Sequence, residues 1–90
     1  MYVKNVIGSS RFPKPRGYNS WLDYWKAHTG ENPYYCKANN CWRTDIVGAH
    51  VQKVYGYDQK WYIVPLCTTC NKRTDTFYVD ATLVPVPSNL

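Results

Sequence analysis

Ninety residues with 44% hydrophobic and 17% aromatic side chains make one small domain with a core, which excludes a disordered chain. No apolar run approaches the roughly 18 residues that span a bilayer, and the start, MYVKNVIGSSRFPKP, lacks the apolar stretch of a secretory signal, so a cytoplasmic, membrane-free protein is expected. The net charge is +5, yet residues 1–19 hold Lys4, Arg11, Lys14 and Arg16 with no acid, leaving the remainder close to neutral.

Taken in chain order, residues 1–19 mix glycine, serine and proline with those four cations. Pro13 and Pro15 exclude a helix there, so the segment is expected to be a flexible basic arm ahead of a single domain over 20–90. A helix is predicted from about Ser20 to Thr29. Ser20 and Asp23 form an S-x-x-D capping pattern, and Gly30 is placed to end it. Trp21, Leu22, Tyr24, Trp25 and His28 give this helix a broad stripe for packing. Residues 31–43 read as a loop rich in turn formers. Residues 44–54 and 60–65 read as the two strands of a hairpin, joined by a turn at 55–59. A short helix is expected within 66–77, and the proline-bearing end, from 78 onward, should run extended over the surface or along a sheet edge.

The four cysteines form two pairs, Cys36-x4-Cys41 and Cys67-x2-Cys70, separated by 25 residues. Small domains often need a staple, and two such pairs can place four thiolates around one Zn²⁺. Two disulfides use the same even count, and a redox pair is a third reading. Zinc is favoured because Cys67 and Cys70 are close for an ordinary structural bridge and the pairs flank a hairpin that would bring them together. A redox C-x-x-C, moreover, wants a βαβ context that is not visible. The expected fold class is α+β: a small treble-clef (ββα) zinc-binding domain with an extra N-terminal helix and one structural Zn²⁺ held by Cys36, Cys41, Cys67 and Cys70.

On these residues, with Gly48-Ala49-His50-Val51 and Leu66-Cys67-Thr68-Thr69-Cys70-Asn71, the sequence resembles small HNH-endonuclease-like treble-clef proteins over roughly 36–75. The resemblance implies His50 at the position of the general base and Asn71 at the last catalytic metal position. Ala49 stands where that family has an acidic metal ligand, and Tyr62 near its orienting asparagine. Alanine offers no ligand atom to a hard cation that wants oxygen ligands, although Asp45 or Asp75 could supply a carboxylate from elsewhere. The expectation is therefore a zinc-stabilised module, monomeric, binding DNA or RNA without nuclease activity, with the arm and Lys72 and Arg73 as phosphate contacts. The alternatives are a metal-dependent endonuclease using His50 and Asn71, or a domain that binds a protein partner through exposed aromatics.

Overall fold

The alternation in residues 44–54 produces the longest described strand, β2 (Ile46–Lys53), which pairs antiparallel with β3 (Tyr62–Cys67). A computed structural model describes residues 1–8, 12–56 and 58–87; Arg11 of the expected arm, Tyr57 of the expected turn and the tail at 88–90 lie outside the described residues. Around the hairpin lie β1 (Tyr2–Asn5), β4 (Phe77–Tyr78) and β5 (Val84–Pro85), giving one antiparallel sheet in the order β4-β1-β2-β3-β5. One helix, α1 (Trp21–Thr29), covers one face, so the architecture is α+β. No helix among the described residues is long and apolar enough to cross a membrane.

Three segments differ from expectation. Residues 2–5 do not belong to an arm: they form an inner strand in which Val3 is fully buried, pairing with Lys53 on one side and Phe77 on the other. The physical reason is that Tyr-Val-Lys-Asn alternates with period 2, and burying Val3 between two ladders outweighs the freedom suggested by prolines ten residues later. The second strand begins at Tyr62 and runs through Pro65 to Cys67. Pro65 is tolerated because its carbonyl faces away from β2, accepting from Lys37 N–H at 3.0 Å, so the missing donor falls outside the β2–β3 ladder. The helix expected within 66–77 is only a 3₁₀ turn, Cys70–Lys72, after which Arg73 returns to extended backbone. Thr74 and Thr76 are β-branched, and Phe77 is drawn into the core as a strand residue.

The two faces of the sheet carry two cores. Val3, Ala49, Val51, Val64, Leu66, Phe77 and Val79 pack with the cysteines on one face. On the other, Ile63 and Val84 pack under Trp21, Tyr24 and Trp25 of α1. The helix is set as its sequence suggests: the Ser20 hydroxyl accepts from Asp23 N–H at 3.0 Å, and Gly30 ends it at φ 71°. Each large aromatic also finds a partner for its polar tip. Trp25 Nε1–H donates to Thr82 O at 2.8 Å, Tyr24 O–H to Pro85 O at 3.0 Å, and Trp21 Nε1–H to Pro13 O at 3.2 Å. These bonds fasten α1 to the segment before it and to the chain at Thr82 and Pro85.

The first turn of α1 lies directly on Gly48 of β2. A Cβ built there would stand 2.5 Å from Leu22 N and from the Trp21 carbonyl carbon, both backbone atoms that cannot give way like a side-chain tip. Gly48→Ala is therefore expected to destabilise the fold by about 2–3 kcal/mol through overpacking, read as a lower urea midpoint with an unchanged slope.

Candidate functional site

The cysteines converge because each pair sits on a turn built for it. In the first, Cys36 N–H donates to Arg43 O at 2.8 Å, closing the base of the loop. Asn40 takes the left-handed conformation at φ 61°, which asparagine tolerates, and turns the chain so that Cys41 returns beside Cys36. The second pair begins on the last residue of β3, where Cys70 N–H donates to the Cys67 sulfur at 3.3 Å. The ligand atoms of all four cysteines lie within 4.8 Å of one another, and all four are free thiols, so the structure carries no disulfide here. Cys41 Sγ stands 3.8 Å from Cys67 Sγ and 3.9 Å from Cys70 Sγ, an arrangement able to hold one metal ion.

Burial pushes the Cys36 and Cys70 thiols up. At Cys67 burial also pushes upward, but the Cys70 backbone N–H and the neighbouring thiols outweigh it, and this thiol lies below its ordinary value. A metal must displace protons from the rest, so its affinity rises with pH. Asp45 joins the two turns. It accepts two bonds from Arg43, at 3.0 and 2.9 Å, and one from the Thr68 hydroxyl at 2.6 Å. The Arg43 guanidinium, followed by Thr68, holds its carboxyl well below the usual carboxylate range. Asp75 is similarly engaged by Arg73, at 2.9 and 2.6 Å. Both carboxylates are thus engaged by arginines close in sequence.

His50 and Asn71, far apart in sequence, line one cavity of about 440 Å³. It opens where β1 ends. Val6 N–H still donates to His50 O at 3.0 Å, and beyond that bond no strand among the described residues pairs with β2 on this side. By the alternation of an antiparallel ladder, the N–H and C=O of Gly48 point to the same side as those of His50, toward the cavity. Lys72, Arg73 and Asn5 complete its polar lining. Asn5 is the residue that reading residues 1–19 as an arm concealed. Its Nδ2 donates to Cys70 O and Arg73 O, each at 2.9 Å, clamping the 3₁₀ turn that carries Asn71. With both N–H bonds committed, the amide cannot flip, and its Oδ1 is an acceptor.

That Oδ1 and His50 Nε2 are buried without a hydrogen-bond partner among the described residues, and both residues line this cavity. Buried polar atoms are satisfied in the great majority of cases, so two exceptions in one place mark a site. His50 is enclosed by Trp21, Trp61 and Phe12 at ring-centroid distances of 4.9, 5.9 and 6.1 Å. This burial lowers its pKa below the ordinary 6.5, leaving a neutral imidazole at pH 7.

Among the described residues, the only ionic side chains lining this cavity are Lys72 and Arg73, and the only one lining a neighbouring apolar cavity is Lys60. A third cavity beside the first cysteine pair is lined by Glu31, Asp80 and Lys37, next to the exposed Tyr34, Tyr35 and Trp42. Compared with family models, characterised proteins and solved structures, the chain matches none.

Two outcomes follow from this geometry. Cys70→Ser removes a ligand from the only thiol cluster, and a structural metal in small fingers contributes roughly 10–16 kcal/mol. The variant is expected to lose bound metal and unfold, as is the native chain under a strong chelator; native mass spectrometry and circular dichroism read both. For His50, the unfolded chain takes up the proton first as pH falls, so native stability declines below about 6.5, by at most about 1.4 kcal/mol per pH unit, until the lowered folded value is passed. Wild type should lose ground to His50→Gln between pH 7 and pH 5 in paired urea titrations; parallel profiles would contradict this.

Proposed function

We propose that the chain is a zinc-stabilised, nucleic-acid-binding module of treble-clef type, with the His50–Asn71 cavity as its phosphodiester site. Zinc is favoured by the donor set: four soft thiols, with Cys41 Sγ at 3.8 and 3.9 Å from Cys67 Sγ and Cys70 Sγ, near the roughly 3.8 Å expected for ligands 2.3 Å from a tetrahedral centre. The order of cysteine turn, hairpin and cysteine turn supports the treble-clef assignment, with a 3₁₀ turn in place of the usual final helix.

The observation that carries the nucleic-acid reading is the lining of one cavity: among the described residues, two cations, two amides, a neutral imidazole and no carboxylate. Lys72 and Arg73 favour an anion. A nucleic-acid backbone offers phosphate to both. Arg73 is partly spent, since Asp75 holds it in a two-bond pair, so Lys72 is the freer contact.

Cleavage is not part of this reading. A hard divalent cation would find only amide oxygens and an imidazole from the protein, without the carboxylate that usually anchors it. The second reading, metal-dependent phosphodiester hydrolysis, is favoured by one observation: His50 and Asn71 open onto the same cavity. There His50 would take the proton of an attacking water, and the amides of Asn71 and Asn5 would face the cation.

One experiment separates the two. The purified zinc-loaded protein is titrated with labelled DNA at several salt concentrations and incubated with supercoiled plasmid and Mg²⁺ or Mn²⁺. Salt-sensitive binding without nicking is expected, and Lys72→Ala should flatten the log K against log salt slope by about 0.9. Nicking that disappears in His50→Ala would establish the second reading, and salt-independent or absent binding would remove the first.

A further inference from the structure

The phosphodiester site proposed above does not end at His50. His50 and Phe12 also line a second cavity, of about 420 Å³, so the two voids share these side chains as a common wall. We propose that this second cavity receives one unpaired base of a single-stranded nucleic acid whose phosphate lies beside Lys72. The inference rests on the nucleic-acid reading and adds the class of strand.

Its walls are of the kind a flat ring needs. Phe12 is 44% exposed and meets Trp61 edge to face, with centroids 4.6 Å apart and planes at 87°. An edge-to-face pair leaves ring faces free, and a third ring can stack there. Pro85, Val86 and Pro87 form the opposite wall. Their backbone has little left to recognise a base edge with: Pro85 and Pro87 have no N–H, Pro85 O already accepts from Tyr24, and Val86 N–H donates to Trp61 O at 2.9 Å. The cavity therefore grips a base by its face and not by its edge, which predicts tolerance of base identity.

Lys60 is the only ionic group in the lining among the described residues. Together the two cavities present, among the described residues, Lys60, Lys72 and Arg73 and no acid, which suits a polyanion threading past both. A base inside a duplex reaches such a cavity only after unpairing and unstacking, whereas an unpaired strand offers it freely. Single strands are thus favoured over the duplex of the same sequence.

The test uses the full-length zinc-loaded protein and fluorescence anisotropy with three probes: a labelled mixed-sequence single strand, its duplex, and an abasic strand carrying the same number of phosphates. The base-bearing single strand is expected to bind tenfold to a hundredfold more tightly than the abasic strand. Trp61→Ala and Phe12→Ala should erase that difference and leave the salt slope intact, while Trp61→Phe restores it and circular dichroism verifies the fold. Lys72→Ala should lower the slope on both strands. Equal affinity for base-bearing and abasic strands, or a preference for duplex, overturns the base cavity while the nucleic-acid reading stands. Failure to bind any of the three probes overturns both.

Discussion

Four sulfurs within 4.8 Å of one another are the constraint on which the rest depends. A chain of ninety residues buries a modest share of its surface, and here two cysteine-bearing turns must be held against a sheet. The cluster does this by fixing where β3 may end. Cys67 is both the last residue of the strand and a cluster member, so the strand cannot slip without breaking the cluster. Asn71 and Lys72 follow Cys70 within the same 3₁₀ turn, and their positions are inherited from it. Asp45 reinforces the arrangement by bonding Arg43, next to the first pair, and Thr68, within the second. That exposed carboxylate belongs to the scaffold.

The site on the other side of this turn runs against stability. An imidazole nitrogen and an amide oxygen without partners inside a protein cost about 1–3 kcal/mol each. A sequence selected only for folding would replace His50 with an apolar residue, since three aromatic rings already surround it. Asn5 donates both amide N–H groups to the turn, to Cys70 O and Arg73 O, which leaves its Oδ1 buried without a partner among the described residues.

Much of this was legible in the residues. The Ser20 cap, the Gly30 stop and the β2–β3 hairpin follow from local chemistry, and the cysteine spacing brings four thiols together as drawn. What could not be seen depended on long-range pairing. Tyr2–Asn5 is a strand because β2 and β4 offer it two ladders, and neither is visible from the first nineteen residues, where Pro13, Pro15 and four cations dominate the reading. With β1 hidden, Asn5 could not be placed in the site. The helix expected after Cys70 fails for a related reason: Thr74 and Thr76 lower helix propensity, and Phe77 gains more from the core than from another helical turn. His50 and Asn71 were singled out from the motif, but that they share a cavity follows from β1 stopping at Asn5.

The clamp also ties the cysteines to the cavity. Asn5 holds the carbonyl of Cys70, so whatever fixes the Cys70 sulfur also fixes an acceptor on which the Asn5 amide depends. If a metal occupies the cluster, its loss would free Cys67 and Cys70, release both carbonyls from Asn5, and disturb the placement of Asn71 and Lys72 together. A ligand that required these groups in place would then bind more tightly to the metal-loaded form, and by reciprocity would strengthen metal binding by the same factor. The N-terminal strand is the mechanical link in this coupling, since Asn5 is positioned by its pairing with Val51 in β2. Asn5 and the strand that places it therefore belong to the cavity as fully as the residues the motif singles out.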